Sequence, residues 1–210
     1  MKRTATILIV VIAAYAAFLA WHQPLRGPLT ELEVRAAFGD RYSPMREAKD
    51  GRAATLIDFF LSDDGRPFFM INLNALPEHT AHTQKAERAY ASYMAPRLLS
   101  RASYPVLSTE PIVMLNNSLG TDLEAIERLV VVRYRSRRDF LEIIATPEFR
   151  EAVEHKSVSL DGWYSAPASV NPVVSLPQLV LILLGSVGVF GSWLTRQPRV
   201  TAASRLKAQA

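Results

Sequence analysis

The sequence predicts an α+β domain held between two apolar, membrane-spanning helices. The first observation is a pair of long runs without a charged residue, at residues 4–21 and 173–194. The second is a central region in which short segments of period two alternate with longer segments of helical period. The 210 residues are 49% hydrophobic and 21% charged, which excludes a chain that is disordered over most of its length. Because there is no cysteine, disulfides, cysteine-ligated metal centres and a thiol nucleophile are excluded.

The positive charge lies at the two ends of the chain. The sequence has 24 Lys and Arg residues against 20 Asp and Glu residues. Six of the basic residues lie outside the apolar runs, so the region between the runs has 18 basic and 20 acidic residues. A nucleic-acid surface gathers its positive charge on the folded face that meets phosphates, so this distribution argues against a nucleic-acid partner. The six basic residues are Lys2, Arg3, Arg196, Arg199, Arg205 and Lys207.

The N-terminal run predicts a transmembrane anchor over residues 1–21. Its 18 uncharged residues would span ~27 Å as a helix, close to the hydrocarbon thickness of a bilayer. A cleaved signal peptide is the alternative, because two basic residues precede the run and Ala14 to Ala16 offers a cleavage site. We favour the retained anchor, since cleavage there would leave a short hydrophobic region and expose Phe18.

The second run predicts a transmembrane helix over residues 173–194, followed by a basic cytoplasmic tail over residues 195–210. A buried core helix is the alternative, which the length and lack of charge of the run disfavour. Short basic segments stay in the cytoplasm, so we expect both termini there and the central domain in the periplasm of a bacterium, anchored in the inner (cytoplasmic) membrane.

Small residues recur four positions apart in both runs. Ala13 and Ala17 form such a pair in the first run, and Gly188 and Ser192 form one in the second. These pairs would allow the two helices to approach closely within the membrane.

Between the runs, we predict a stalk or linker over residues 22–52 and a folded domain over residues 53–170. Proline, glycine and charged residues interrupt the linker region around one short amphipathic piece. In chain order, the domain is predicted to contain a helix over 53–62, a strand over 66–76, a helix over 79–100, strands over 106–115 and 127–134, helices over 137–145 and 146–160, and a strand over 163–168.

The first helix and the first strand are separated by a turn. Leu56, Phe59 and Phe60 share one helical face, and an Asp-Asp-Gly turn follows them. The period then changes to two, because Phe69 and Ile71 alternate with a mixed set of residues, which indicates a strand.

The second half of the domain has clear boundaries. Pro111 suits an edge strand, and the cluster at residues 116–122 predicts a turn. The strand over residues 127–134 is dense in β-branched residues. Ser136 caps the helix that follows, and Pro147 opens the next one.

The predicted order is β-α-β-β-α-β, the arrangement of ferredoxin-like domains. Two helices would cover one face of the sheet. The other face would keep apolar surface, which a second copy of the domain could bury, so we expect a homodimer.

The region from about residue 53 to residue 169 resembles the dimeric α+β-barrel superfamily. The resemblance lies in DDGRPFFM and NLNAL near the first strand and in the stretch from VVVRYRSRRDF to HKSVSLD. Tyr134, Ser136 and Arg137 resemble an aromatic-x-Ser-Arg signature of an uncharacterised branch. The superfamily includes monooxygenases, isomerases, haem-handling enzymes and proteins without known activity, so the resemblance implies a fold and no single reaction. Haem degradation is excluded, because Ile143 and Val153 stand where the haem-degrading members have Trp and His.

Five residues are candidates for a polar pocket between the sheet and its helices. Asn72 and Asn74 share a strand face and could hold a carbonyl or a water, or satisfy backbone groups instead. Arg133 could bind a carboxylate or phosphate together with the other arginines at the end of its strand, or these arginines could form surface ion pairs. Tyr134 and His155 are the catalytic candidates, with His155 as a base near neutral pH.

No metal or cofactor site is predicted. His79 and His82 are three residues apart but have no third ligand at a known spacing. The sequence contains no P-loop, no GxGxxG fingerprint and no HExxH motif.

The sequence is compatible with three functions. The first is a membrane-anchored protein that presents its domain for binding or assembly. The second is a membrane-tethered, cofactor-independent monooxygenase or isomerase acting on a small apolar or quinone-like substrate. The third is an accessory subunit with a larger membrane-protein complex as its partner.

Overall fold

The computed structural model describes residues 2–48, 51–109, 126–169 and 175–196. The chain divides into two compact units, a helical unit (Met1–Ala20 with Pro172–Ala210) and an α+β domain (Trp21–Asn171). In chain order the elements are α1 (Lys2–His22), α2 (Glu31–Phe38), a 3₁₀ turn (Gly39–Arg41), α3 (Tyr42–Arg46), α4 (Arg52–Leu61), β1 (Phe68–Ala75), α5 (Ala81–Ser100), β2 (Tyr104–Ser108), β3 (Arg128–Tyr134), α6 (Arg137–Ile144), α7 (Pro147–Ser159), β4 (Gly162–Ala168) and α8 (Leu176–Arg196).

The four described strands form one antiparallel sheet in the order β2-β3-β1-β4. With α5 between β1 and β2 and with α6 and α7 between β3 and β4, this is the predicted ferredoxin-like connectivity. β2 lies at the edge of the sheet, as Pro111 led us to expect. Residues 110–115 of the predicted second strand, and the predicted turn at 116–122, lie outside the described residues.

The core of the domain lies between the sheet and its helices. Phe60 is fully buried and meets the ring of Phe140, with 5.8 Å between centroids. Phe68 and Tyr134 are partners across β1 and β3, and their rings stack 5.0 Å apart. Because successive side chains on a strand point to opposite faces, every second residue of β1 and β3 faces these helices.

The region from residue 22 to residue 52 differs from the predicted stalk. It folds as α2, the 3₁₀ turn and α3, and its apolar side chains Val34, Phe38 and Tyr42 are buried in the core. The side chain of Thr30 accepts a hydrogen bond from Glu33 N in a capping box that begins α2. The folded domain therefore begins near residue 21, because this short segment buries large apolar residues despite its prolines and glycines.

An arginine from α6 holds this segment in place. Arg138 donates to Oε1 of Glu33 at 2.5 Å and to the carbonyl oxygens of Gly27 and Pro28 at 3.2 and 3.1 Å. The guanidinium is itself mostly buried, so these acceptors offset the cost of removing its charge from water.

In the helical unit, α1 and α8 run antiparallel to each other. A methyl group added at Gly191 would lie 3.5 Å from Cδ1 of Ile7, and one added at Gly188 would lie 3.7 Å from Cγ2 of Val11. Further along, the hydroxyl of Tyr15 donates to the carbonyl oxygen of Pro177 at 3.4 Å. Gly188 thus lies in the contact, whereas the predicted Ala13 and Ala17 pair is exposed.

Both helices are long and apolar enough to cross a membrane. The candidate spans are Thr4–His22, with a mean hydropathy of 2.2, and Leu176–Leu194, with a mean hydropathy of 1.7. Very little of either span is buried by the protein, so both present apolar side chains outward. Residues 173 and 174 of the predicted second span, and the basic tail from residue 197, lie outside the described residues.

Candidate functional site

A cavity of about 510 Å³ lies between the sheet and helices α5 and α7. Its walls are mostly apolar, with Met94 and Leu98 contributed by α5 and Val130 and Val132 by β3. The volume and lining are typical of sites for small molecules, which are mainly apolar with a few polar groups that fix orientation.

Three of the predicted site residues line this cavity. Asn72 and Asn74 lie on the helix-covered face of β1, and Tyr134 lies on the same face of β3. The sequence pattern placed the two asparagines together because residues two apart on a strand share a face.

Asn72 is held by the sheet itself. Its Nδ2 donates to the carbonyl oxygens of Met70 and Val130 at 3.3 and 3.4 Å, and its Oδ1 accepts from Ser165 Oγ at 2.8 Å. This arrangement matches the alternative in which the amide satisfies neighbouring groups of the strands.

Asn74 has a different environment. It is 7% exposed, its Oδ1 is shielded from solvent, and its side chain hydrogen bonds to no residue in the described part of the chain. Leaving a buried amide unpaired costs about 1–3 kcal/mol, so this side chain calls for a partner.

Arg133 does not line the cavity. It neighbours Tyr134 on β3, so its side chain points to the other face of the sheet. It is buried there, and its guanidinium donates to the carbonyl oxygens of Ala102 at 2.8 Å and of His22 at 3.2 Å. These acceptors are internal backbone groups on the face of the sheet away from the cavity.

The neighbouring arginines also contact protein groups. Arg135 pairs with Asp139, with 2.6 Å between Nη2 and Oδ1, and Arg137 donates to the carbonyl oxygen of Phe59 at 2.7 Å. The three arginines at the end of β3 therefore do not converge on one anion site.

His155 is half-buried on α7 and does not line the cavity, whereas the next residue does. Lys156 Nζ lies 4.8 Å from the ring centroid of Trp163 and 5.9 Å from that of Tyr90. Lys156 lies four residues after the buried Ala152 and three residues before the buried Ser159. Residues at this spacing share one face of a helix, so the sequence indicated that Lys156 faces the protein interior.

Burial changes the acidity of the ionisable groups in the cavity. It lowers the pKa of Lys156 to about 8, because an ammonium loses hydration between aromatic rings. Burial is the main cause that raises the pKa of Tyr90 to about 12, and the charge of the neighbouring Tyr93 is the smaller cause. Burial also raises the pKa of Tyr134. Both phenols therefore remain protonated at neutral pH and act as hydrogen-bond donors.

The histidine pair considered for a metal lies on the surface of the domain. His79 and His82 are exposed at the start of α5, and the described ranges contain no group of three His, Cys, Asp or Glu residues that could hold a metal ion.

No protein-family model matches the chain, and no curated protein matches it significantly. Among solved structures, a protein of unknown function from Rhodopseudomonas palustris is similar, with 22% identity over 57% of this chain and 94% of that chain and a TM-score of 0.47. SnoaB, a cofactor-independent oxygenase from Streptomyces nogalater, is 11% identical over 53% of this chain and 97% of its own, with a TM-score of 0.34. A protein from Arabidopsis thaliana is 14% identical over 51% and 99% of the two chains, with a TM-score of 0.37.

Proposed function

We propose that this protein is anchored in a membrane at both ends and that its ferredoxin-like domain binds a small, largely apolar ligand. The carrying observation is the side-chain oxygen of Asn74, which accepts no hydrogen bond from the described residues, in a mostly apolar cavity of about 510 Å³. A ligand with one polar group would satisfy this amide, and its apolar part would cover the walls formed by α5 and β3.

The arrangement of the helical unit supports the proposed topology. Since α1 and α8 run antiparallel, the basic start of α1 and the basic end of α8 lie at the same end of the pair. Short basic segments are retained in the cytoplasm, so this end faces the cytoplasm and the domain lies on the periplasmic side of a bacterial inner membrane.

The partner expected from the sequence is a second copy of the domain. The sheet face away from the helices carries Ile71, Leu73 and Val131, which are incompletely buried, and Tyr164, which is exposed. Covering these side chains in a homodimer would remove apolar surface from water. A membrane-protein partner for the whole assembly remains the alternative in which the chain is an accessory subunit.

A membrane-tethered enzyme is the second candidate function. The observation that favours it is Lys156, since a pKa of about 8 leaves part of this side chain as the free amine near neutral pH. A free amine in an apolar cavity can act as a base toward a substrate of the monooxygenase or isomerase type. Two catalytic candidates came from the sequence. Of these, Tyr134 lines the cavity and His155 does not.

The binding function is tested by filling the cavity in the full chain. Ala95 lines the cavity from an exposed position on α5, so Ala95→Trp would block it, whereas Ser92→Trp places the same ring on α5 away from it. Small molecules that co-purify with each form in mild detergent would be identified by mass spectrometry. We expect an apolar molecule with the parent chain and with Ser92→Trp and its loss with Ala95→Trp. Equal recovery from all three forms would contradict the proposal.

A further inference from the structure

Lys156 brings a positive charge into the cavity. The described residues supply it with aromatic rings, those of Trp163 and Tyr90, and with no carboxylate or hydrogen-bond acceptor. An ammonium that is half-buried against rings is stabilised less than one in water or in an ion pair. It therefore favours a ligand that carries the opposite charge.

The second cation of the cavity lining is already neutralised. Arg128 donates to Glu87 Oε1 at 2.8 Å, and both residues belong to the lining. Glu87 is the one carboxylate among the described lining residues, and it is paired with Arg128, so Lys156 has no counter-charge there.

Two neutral donors border the same space. The hydroxyls of Tyr90 and Tyr134 hydrogen bond to no described residue, and both tyrosines line the cavity with Lys156. A phenol is both a donor and an acceptor, but beside an ammonium it offers its proton to an acceptor on the ligand. Lys156 and Tyr90, whose ring centroid lies 5.9 Å from Nζ, thus form a donor set with one positive charge, and Tyr134 lies farther along the cavity.

Lys156 and the amide of Asn74 both lie beside Trp163 of β4. Asn74 is the cross-strand partner of Trp163, and the ring of Trp163 is the one that Lys156 covers. Directly opposed residues in an antiparallel pair have Cβ atoms about 4.5–5.5 Å apart. One small head group can therefore lie beside both Lys156 and Asn74, and a head group that accepts hydrogen bonds is satisfied when the Asn74 amide turns its Nδ2 toward it.

We propose that the ligand is an apolar monocarboxylic acid, whose carboxylate accepts hydrogen bonds from Lys156 and the hydroxyl of Tyr90. This inference rests on the proposed ligand-binding function. One lysine and neutral donors match a single negative charge, whereas a phosphate site uses several cations or a bidentate arginine, and Arg128 is engaged with Glu87. The apolar part of the acid lies against Met94, Leu98 and Val130.

Three probes of equal chain length test the head group. Octanoate, 1-octanol and octylamine would be titrated against the full chain in lipid nanodiscs by equilibrium dialysis, with empty nanodiscs as the blank. We expect octanoate to bind at least 10-fold more tightly than octanol, and octylamine to bind most weakly. Lys156→Met should weaken octanoate binding at least 10-fold and leave octanol binding within 3-fold. Lys156→Arg, which keeps the charge, should retain most of the affinity for octanoate.

Lys85→Met is the matched control, because Lys85 is exposed on α5 and does not line the cavity. It should leave the affinity for octanoate unchanged. Equal binding of octanoate and octanol, or an unchanged affinity in Lys156→Met, would overturn the carboxylate inference and leave the ligand-binding function intact. If none of the three probes binds above the blank, the ligand-binding function fails and the inference fails with it.

Discussion

Lys156 covers the ring of Trp163, with 4.8 Å between its Nζ and the ring centroid, at the wall of a mostly apolar cavity. The contact joins the end of α7 to β4. It orients the ammonium of Lys156, which is the one charge without a counter-charge among the described residues of the lining. The proposed ligand chemistry depends on this relationship.

Lys156→Met should change how stability depends on pH. Burial lowers the pKa of Lys156 from 10.5 to about 8 in the folded chain. Between these values the unfolded chain binds more protons, so the free energy of unfolding rises with pH in this window. Below pH 8 both states are protonated and the cost of burying the charge is fully present. We expect Lys156→Met to be more stable than the parent at pH 7, by on the order of 1 kcal/mol, and the difference to shrink toward pH 10.5.

Chemical denaturation of both forms at several pH values would measure this difference. The titratable groups that share the cavity are Tyr90, Tyr134, Glu87 and Arg128, and all four are unchanged in the comparison. A stability difference that stays constant from pH 7 to 10.5 would show that Lys156 is not desolvated by the fold.

Phe38→Ala should strongly destabilise the domain. Phe38 is 5% exposed and packs on Phe60, with 6.0 Å between ring centroids, so its loss leaves a cavity in the core. Comparable substitutions cost about 3–5 kcal/mol. Leu32 is on the same helix but is 77% exposed. Surface substitutions usually change the free energy of unfolding by no more than about 0.5 kcal/mol, so Leu32→Ala should have only this small effect. Similar midpoints of urea unfolding for the two variants would mean that α2 is a linker after all.

Glu33 should make the domain sensitive to acid. Hydrogen bonds from Arg138 and then from Thr30 lower the pKa of Glu33 from 4.5 to about 2. Between these pH values the unfolded chain is protonated at Glu33 and the folded chain is not, so stability is lost as the pH falls from 4.5 toward 2. Glu33→Gln should reduce this slope in thermal unfolding measured across that range. Glu47, which is exposed just after α3, provides the comparison: if Glu47→Gln and Glu33→Gln flatten the slope equally, the contact with Arg138 is not its cause.

Cysteine pairs should report the antiparallel packing of α1 and α8. The chain has no cysteine, so Ile7→Cys combined with Gly191→Cys creates one unique pair. Gly191 lies against Ile7, whereas Gly185 has no atom within 4 Å of its added methyl group and lies about 9 Å along the helix. A short thiol crosslinker in native membranes should join the 7 and 191 pair and spare the 7 and 185 pair. Equal crosslinking of the two pairs would contradict the packing.

Local patterns in the sequence predicted most of the domain. The alternation at Phe69 and Ile71 and the β-branched residues of β3 predicted strands close to the observed bounds. The N-cap Ser136 and the first-turn Pro147 did the same for α6 and α7. The segment of α2 and α3 was missed, because its helices are short and depend on tertiary burial of Val34 and Phe38.

The candidate site was predicted in part. Periodicity placed Asn72, Asn74 and Tyr134 on the same face. It could not show that Ser165 donates to Asn72 while no described residue donates to Oδ1 of Asn74. Arg133 was grouped with Tyr134 although neighbours on a strand face opposite ways. On α7, His155 was predicted as a site residue because an imidazole can act as a base. The helical period instead indicated that Lys156 faces the cavity.

The central claim is that the domain lies outside the cytoplasm and is tied to the membrane at both ends. Single cysteines introduced at Ser92, which is exposed on α5, and after Ala210 would be labelled with a membrane-impermeant maleimide in intact bacterial cells. We expect the cysteine at position 92 to react in intact cells and the cysteine after Ala210 to react only after the inner membrane is permeabilised. Labelling of the C-terminal cysteine in intact cells, or protection of the cysteine at position 92, would contradict the claim.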